Sequence, residues 1–248
     1  MKLTVVGCSG TYPTAEAPCS GYLFEASGFR LLVDLGPGTF VELQRYLDIH
    51  DLDAILLTHW HPDHVVDIFP LYYALRFSDA LDKRLPLFAP DGAERSIYGF
   101  LSGDSRTEFL RVFDLLKLEG GEKFELGPFE IETAVTNHPV ATVAVLVSAD
   151  HRSLAYSADT GPGGGFPAIA EKAEILLCEA TYLYEGQGPP IHLASRQAAE
   201  IAEQAGARRL ILTHRFPSCD EAVWLEEAKS AFSGHLEPAK PGLEIAID

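Results

Sequence analysis

Short apolar segments recur along the chain, and glycine, proline, asparagine or aspartate bounds most of them. Runs of this kind that are rich in β-branched or aliphatic residues are typical of β-strands. They predict strands near residues 3–7, 21–26, 30–34, 54–57, 86–89, 112–116, 129–136, 142–148, 153–157, 175–179, 209–213 and 243–247. The tetrapeptide Ala149-Asp150-His151-Arg152, between two of these segments, predicts a tight hairpin turn.

The segments between some of the strands fit helices, over residues 39–48, 64–77, 91–102, 195–205 and 220–231. Strands dominate both halves of the chain, which indicates two sheets in the middle of the fold with helices outside. No Pro/Ser-rich linker or low-complexity tract divides the 248 residues, so we predict a single domain over 1–248.

The charge of the chain narrows the classes of partner. Its net charge is −17, whereas a protein that grips nucleic acid along the backbone usually has a basic face. Residues 76–117 differ from the rest, with seven basic and seven acidic side chains. A polyanion would bind here if anywhere, although an ordinary mixed-charge surface is the simpler interpretation.

Cysteine usage and the lack of a targeting segment predict a cytoplasmic protein. The four cysteines are far apart and form no CxxC pair, so we expect free, mostly buried thiols. No apolar run reaches membrane-spanning length, and the first residues enter a strand at once, without the features of a signal peptide. We therefore expect no membrane partner.

Polar residues recur where the predicted strands end. A carboxylate or a histidine closes or follows six of the apolar segments, at Asp34, His59, His138, Asp159, Glu179 and His214. Scattered surface residues would not all fall at strand ends. This recurrence predicts one functional site along one edge of the two sheets.

The densest group of such residues is Thr58-His59-Trp60-His61-Pro62-Asp63-His64, directly after an apolar strand. Imidazole and carboxylate together suit zinc, manganese, iron or nickel. His59 and His61 are two positions apart, so they point the same way in an extended segment. Asp63 and His64 lie where the loop turns into the next helix and could face a second ion.

Three residues further along the chain complete a larger ligand set. With His138, Asp159 and His214, the set has seven members, which fits two ions better than one, with Asp159 as the natural bridge. Two such ions share a hydroxide whose pKa is lowered towards neutrality, and they neutralise charge on phosphoryl or acyl oxygens. An expelled alkoxide also needs a proton, for which His192 held by Glu179 is the candidate source.

These motifs resemble those of the metallo-β-lactamase superfamily. The run from His59 to His64 matches its HxHxDH signature, and Asp34 in Val-Asp-Leu-Gly matches its first motif. The later motifs follow in the family's order: His138, Asp159 in Ser-Ala-Asp-Thr and His214 in Leu-Thr-His. The resemblance implies an α/β fold, the four-layer αββα sandwich.

Within the superfamily, the chain looks most like the ribonuclease Z branch. Three features carry this likeness: Glu179 in Cys-Glu-Ala-Thr, His192 in His-Leu-Ala-Ser before a helix, and an acidic helix start after Leu-Thr-His. The branch contains tRNA 3′-end endonucleases and smaller relatives that hydrolyse cyclic nucleotides. It also leads us to expect a homodimer.

The resemblance implies a role for each motif residue. One ion would bind to His59, His61, His138 and Asp159, and a second to Asp63, His64, His214 and Asp159. Asp63 would also orient the attacking hydroxide, and His192, supported by Glu179, would serve the leaving group or the phosphate. Asp34 would organise the histidine loop without binding metal. Zinc is the favoured metal, with manganese or iron as alternatives.

Departures from the family pattern bear on the substrate. The tRNA-processing enzymes carry a long Gly/Pro-rich arm between the motifs that match His138 and Asp159, but here only 20 residues intervene. The usual Gly-Asp-Thr is Ala158-Asp159-Thr160, and the usual His-Ser-Thr is His192-Leu193-Ala194-Ser195. With the acidic charge, these features favour a small phosphodiester over tRNA.

The expected function is therefore a binuclear metal-dependent phosphodiesterase of a small nucleotide, a 3′,5′-cyclic nucleotide being the best candidate. One alternative is tRNA 3′ processing by a ribonuclease Z-type endonuclease. A thiolester or lactone hydrolase is another, but a thiolate leaving group would not need the proton donor His192. A non-catalytic scaffold is disfavoured because all seven ligand positions are filled.

Two glycine-rich loops leave alternatives open. The loop Gly7–Thr11 resembles an anion-binding turn but could equally be structural. The loop Gly163–Gly165 follows Asp159 closely and is most simply a flexible connection, although it could shape the pocket.

Overall fold

The computed structural model describes residues 1–78 and 84–247, and its strands form two sheets of seven. The first sheet contains β1 (Lys2–Gly7), β2 (Gly21–Ala26), β3 (Phe29–Val33), β4 (Ala54–Leu56), β5 (Leu85–Ala89), β6 (Phe113–Lys117) and β14 (Glu244–Ala246). The second contains β7 (Lys123–Leu126), β8 (Phe129–Val135), β9 (Val143–Ala149), β10 (Arg152–Tyr156), β11 (Ile175–Glu179), β12 (Arg209–Thr213) and β13 (His235–Pro238). The strand orders are β14-β1-β2-β3-β4-β5-β6 and β13-β12-β11-β10-β9-β8-β7.

Helices connect the strands on the outer faces of the sheets. They are α1 (Thr39–Leu43), α2 (Pro62–Val65), α3 (Ile68–Arg76), α4 (Ala93–Tyr98), α5 (Gly103–Val112), α6 (Phe166–Ala170), α7 (Ser195–Gln204) and α8 (Glu221–Lys229). One turn of 3₁₀-helix covers Ile49–Asp51. Among the described residues, no helix is long and apolar enough to cross a bilayer.

Alternation along the strands produces three hydrophobic layers. In β2, Tyr22 and Phe24 point between the sheets, whereas Leu23 points outward to the helices. The layer between the sheets also takes alternate residues from β8 to β12. The two outer layers lie under α1, α3 and α5 on one side and under α6, α7 and α8 on the other. The predicted αββα sandwich is therefore confirmed; the single domain over residues 1–248 stays a prediction.

Parallel pairing brings the carboxyl ends of several strands to one edge. In the first sheet β3 pairs with β4 in parallel, and in the second β10, β11 and β12 are parallel neighbours. The loops that leave these strands therefore meet at the same edge of the sandwich, as in other sheets of this kind. All six polar strand-end residues lie on strands of this group or β8, or within three residues after them.

Several predicted helices have different bounds in the structure. The helix predicted over 39–48 ends at Leu43, and the one predicted over 64–77 is two helices, α2 and α3. The break falls at Asp67, whose amide donates to the carbonyl of Leu35 at 3.1 Å and not within a helix. The helix predicted over 91–102 is shorter, at residues 93–98.

The sequence interpretation missed four elements: α5, α6, β7 and β13. Three of them contain few buried apolar residues, and the fourth, α6, is a run of only five residues. In α5 only Phe109 and Val112 are buried, and β13 is an edge strand with no fully buried residue. Such elements form because a neighbouring layer of the fold covers them. The local pattern of apolar and polar residues does not indicate that contact.

Surface charges and cysteines agree with the simpler interpretations. Arg76, Arg84, Arg111 and Lys117 lie within 4 Å of carboxylates, the longest distance being 3.9 Å for Arg76 Nε–Glu108 Oε2. Lys83, another basic residue of this segment, lies outside the described residues. The four cysteines are free and buried, as predicted.

Candidate metal centre

The histidine loop follows β4 at the carboxyl edge of the first sheet. His61 is extended, and Pro62 opens α2 at its first position, where its missing N–H costs nothing. The helix then carries Asp63 and His64 back over the strand ends. One short segment can thus present four side chains in two directions.

The first cluster gathers side chains from both sheets. It consists of His59, His61, His138 and Asp159, whose facing ligand atoms all lie within 4.8 Å of one another. His61 Nδ1 lies 3.0 Å from His138 Nε2. His59 Nε2 and His138 Nε2 lie 3.6 and 3.9 Å from Asp159 Oδ2.

The second cluster shares Asp159 with the first. His64 Nε2 is 3.2 Å from His214 Nε2, which is 3.2 Å from Asp63 Oδ2. The other oxygen of the shared carboxylate, Asp159 Oδ1, lies 3.2 Å from His64 Nε2 and 3.5 Å from His214 Nε2. The two oxygens of Asp159 therefore face different clusters.

Unpartnered buried atoms test whether cations fit here. Within the described part of the chain, His59 Nε2 and Asp159 Oδ1 are buried without a hydrogen-bond partner. Native proteins rarely bury such atoms unsatisfied, because each one costs about 1–3 kcal/mol. Imidazole nitrogens and carboxylate oxygens that converge in this way suit divalent transition metals. The clusters are compatible with a binuclear metal site.

Hydrogen bonds behind the rings fix which nitrogen of each histidine faces the clusters. His138 Nδ1 is 3.0 Å from the carbonyl oxygen of Ile191, which can only accept, so Nδ1 carries the proton. His64 Nδ1 donates to Asp34 at 2.8 Å by the same logic. When either ring is neutral, its Nε2 atom then has a free lone pair, as a metal ligand requires.

Asp34 anchors the histidine loop from below. It is fully buried, and its Oδ1 accepts from the amide of Thr58 at 2.8 Å and from the Thr58 hydroxyl at 3.0 Å. Its Oδ2 accepts from Tyr156 at 3.0 Å as well as from His64. Because the Thr58 hydroxyl donates to Asp34, it accepts from His59 Nδ1 at 3.1 Å.

His192 stands beside the shared carboxylate and is held by Glu179. Its Nδ1 lies 2.9 Å from Glu179 Oε1 and 3.9 Å from Asp159 Oδ2. Glu179 is 1% exposed, and the amides of Thr160 and Leu193 also donate to it, at 2.8 and 3.3 Å. One buried carboxylate thus joins the loops that carry Asp159 and His192.

Charges and burial set the protonation of these groups. Burial holds the pKa of His59 well below its ordinary value, and it also lowers the pKa values of His61 and His138. For His64, burial would lower the pKa, but Asp159 and Asp34 raise it well above the usual value. Without a cation, a proton is therefore favoured at His64, between two carboxylates.

Asp159 and His192 are shifted by opposite charges. Burial would raise the pKa of Asp159, but His214 and His64 hold it well below its usual range. Burial would lower the pKa of His192, but the hydrogen bond and charge of Glu179 raise it to about 9. The carboxylate is thus ionised and the imidazole protonated near neutral pH.

Backbone strain concentrates at the site. Asp34, Ala158 and His214 have positive φ angles of 61°, 50° and 57°, a region that residues other than glycine rarely adopt. Each costs about 1–3 kcal/mol and persists only where the surroundings enforce it. Ala158 stands where the family has glycine, so this chain tolerates a methyl group at a left-handed position.

Four supporting groups were missed by the sequence interpretation: Thr58, Tyr156, Thr181 and the Thr11 amide. Thr11 N donates to Asp63 Oδ2 at 2.8 Å, so the Gly7–Thr11 loop supports a site residue. Gly10 is required there because a Cβ would lie 2.4 Å from the carbonyl oxygen of His214. Thr58 directly precedes His59, and this adjacency was the signal available for Thr58.

Comparisons with known proteins agree on the class. A family model described as Beta-lactamase superfamily domain matches residues 29–215. The chain is 33% identical over 248 residues to the probable metallo-hydrolase YhfI of Bacillus subtilis, with 98% of both covered. The crystal structure of YhfI matches with a TM-score of 0.88 at 31% identity, over 98% of each chain.

Two more distant likenesses extend the comparison. A ribonuclease Z of Haloarcula marismortui is 25% identical over 305 residues, covering 100% of this chain and 97% of the relative. A diphosphatase from the PhnP family shares the fold, with a TM-score of 0.78 at 19% identity over 100% and 98% of the two chains.

The chain belongs to the metallo-β-lactamase superfamily. Within that superfamily it is a metal-dependent hydrolase of the ribonuclease Z-like branch.

Proposed function

We propose that this protein is a binuclear metal-dependent phosphodiesterase that hydrolyses a small nucleotide, with a 3′,5′-cyclic nucleotide as the substrate. The observation that carries the proposal is the position of His192. A buried carboxylate, Glu179, holds this imidazole at 2.9 Å while the ring stands 3.9 Å from Asp159, the residue shared by both clusters. A proton donor thus stands beside the residue that the two proposed cation sites share.

In this proposal the two clusters are the ligand sets. His59, His61, His138 and Asp159 would hold one cation, and Asp63, His64 and His214, with the shared Asp159, would hold the other. Zinc is the favoured metal, because nitrogen and carboxylate ligands suit it. When bound, the two cations make water nucleophilic at neutral pH and neutralise charge on the phosphoryl oxygens.

The residues of the chain supply the proton steps. Asp63 Oδ2 accepts a hydrogen bond from the Thr11 amide and lies at the rim of the second cluster. There it also accepts a hydrogen bond from the attacking water. His192 Nδ1–H stays bonded to Glu179, and Nε2–H donates its proton to the departing alkoxide oxygen. Glu179 keeps the ring charged until that transfer.

The connection between His138 and Asp159 supports a small substrate. Residues 143–149 and 152–156 form a tight hairpin within the second sheet, and this stretch contains no projecting arm. The basic residues of 76–117 are partly neutralised by carboxylates, which weakens any nucleic-acid surface there. The relatives named ribonuclease Z nevertheless favour tRNA 3′ processing as the second candidate.

A parallel assay tests the proposal. The purified protein, loaded with Zn²⁺ or Mn²⁺, is given bis-p-nitrophenyl phosphate, cyclic AMP, precursor tRNA and a thiolester. We expect turnover of the two small phosphodiesters. Rapid thiolester cleavage without phosphodiester turnover would contradict the proposal, and cleavage of precursor tRNA at its 3′ end would establish the second candidate.

His192→Ala tests the proton donor separately. We expect phosphodiester turnover to fall about 10²-fold or more while the metal content stays at the wild-type level. His235→Ala is the matched control, because it removes an imidazole whose side chain is 64% exposed and lies 3.5 Å from Glu237 on β13. Undiminished turnover in His192→Ala would exclude His192 as the donor.

Oligomeric state and cellular location complete the proposal. We infer a homodimer in the cytoplasm, on the strength of the family likeness and the free, buried cysteines. Light scattering of the purified protein measures the first, and fractionation of the source cells the second.

A further inference from the structure

The hydroxyl of Thr181 lies between Glu179 and His214. Its Oγ1 is 2.8 Å from Glu179 Oε2 and 2.8 Å from His214 Nδ1, and the residue is 2% exposed. Glu179 also holds His192. One carboxylate is therefore linked to both the proton donor and a residue of the second cluster.

The chemistry of the three groups fixes the direction of each bond. A carboxylate can only accept, so the Thr181 hydroxyl donates its proton to Glu179. Towards His214 the same oxygen must then accept, which places a proton on Nδ1 of that ring. His214 Nε2 keeps a free lone pair, and it is this atom that lies 3.2 Å from Asp63 Oδ2 and His64 Nε2.

We propose that Thr181 is the positioning residue that fixes the tautomer and orientation of His214, and that Glu179 acts through it on the second cluster. This inference rests on the proposed function only in taking His214 as a metal ligand. Groups that hold the far nitrogen of a ligating histidine typically change metal affinity about 10–100-fold when removed.

Main-chain bonds around Thr181 make the hydroxyl separable from the fold. The amide of Ala180 donates to the carbonyl of Thr213 at 2.9 Å, and the carbonyl of Thr181 accepts from Phe216 at 3.2 Å. These bonds bracket His214 on both sides and do not involve the Thr181 side chain. Replacing Thr181 by valine keeps the shape of the side chain and removes only the hydroxyl.

The experiment compares Thr181→Val, Thr181→Ser and wild type by Zn²⁺ titration of the full chain with isothermal calorimetry. In Thr181→Val we expect the second ion to bind about 10–100-fold more weakly and the first ion to be unaffected. Thr181→Ser keeps a hydroxyl and should retain both affinities. Equal binding of both ions by Thr181→Val and wild type would overturn the inference.

Thr133→Val is the matched control for loss of a buried threonine hydroxyl. Thr133 is also 2% exposed, and its hydroxyl bonds to the main chain of Glu119 and Glu122. It lies on β8, and none of the cluster residues is within that strand. We expect it to lower the urea midpoint without changing either metal affinity. If Thr133→Val weakened binding of the second ion by the same factor, the effect of Thr181→Val would be explained by general destabilisation.

A spectroscopic readout reports on the tautomer directly. In ¹⁵N-labelled metal-free protein, long-range ¹H–¹⁵N spectra should show the proton of His214 on Nδ1 in wild type and Thr181→Ser, and lose that preference in Thr181→Val. An unchanged tautomer in Thr181→Val would overturn the inference. Wild-type protein that binds no divalent ion would refute the proposed function, whereas the tautomer would still decide the role of Thr181.

Discussion

At the scale of single residues, acceptors behind the imidazoles decide what the imidazoles can do. Asp34, Thr181 and the Ile191 carbonyl each accept a hydrogen bond from the Nδ1–H of a histidine. The Nε2 atom of that ring then faces the clusters. His192 is also held by a carboxylate, Glu179, whose charge favours the protonated ring, but it stands outside both proposed ligand sets. Position relative to the clusters therefore separates the proposed acid from the proposed ligands.

The raised pKa of His192 predicts a pH-dependent stability in the metal-free protein. The folded-state pKa is about 9, above the ordinary value of 6.5, so its contribution is complete below pH 6.5 and is lost as pH rises through 9. Across this range the stability advantage of wild type over His192→Gln should fall by up to about 3 kcal/mol. Urea unfolding with a chelator, at several pH values, measures it; a constant difference would refute the prediction.

At the scale of elements, the β9–β10 hairpin shows how a turn sets the register of its strands. Its two turn residues, Asp150 and His151, have φ angles of 53° and 63°, the signs that a type I′ turn requires. The strands pair from Arg152↔Ala149 to Tyr156↔Val145, which brings Asp159 to the site edge shortly after β10 ends. The predicted turn is therefore confirmed.

His151→Gly should stabilise the protein. Glycine adopts positive φ without the steric penalty of a β-carbon, and the exposed His151 gives up little packing. After the greater entropy of glycine in the unfolded chain is included, the gain should be about 0.5–1 kcal/mol. Thermal unfolding measures it, with His151→Ala as the control that keeps the β-carbon and should show no gain. Phosphodiester turnover should not change, because the turn lies at the far end of the strands.

Apolar strands were predicted well because their buried side chains are consecutive in the sequence. β4 and β11 are runs of fully or almost fully buried side chains, and short apolar runs of this kind are typical of buried strands. α5 and β13 were missed because they depend on what covers them. The split between α2 and α3 was missed for a related reason, since the amide of Asp67 bonds to Leu35 in a different segment.

At the scale of the whole molecule, the clusters join the two sheets. His59, His61, Asp63 and His64 follow a strand of the first sheet, whereas His138, Asp159 and His214 follow strands of the second. Any cation held by both groups would link the halves of the sandwich. Asp159 lies between the two clusters, so its carboxylate would contact the linking cations.

Metal removal should therefore lower the stability of the entire fold. A ligand that binds only the native state at 1,000 times its Kd adds about 4 kcal/mol to the free energy of unfolding, and a chelator abolishes that gain. Differential scanning fluorimetry with and without a chelator measures the loss. Asp159→Ala should unfold at one temperature under both conditions; a wild-type protein equally indifferent to chelation would show that no cation links the sheets.

The sequence by itself determined the layers and the identity of the predicted ligands. Alternation along the strands specifies which residues are buried, and no core requires three histidines and an aspartate within residues 59–64. Only the tertiary structure decided how these side chains meet. The division of Asp159 between two clusters, and the links from Asp34 to Thr58 and from Glu179 through Thr181 to His214, join residues distant in the chain. Hydrogen bonds of this kind depend on the distance between loops, and packing of the two sheets sets that distance.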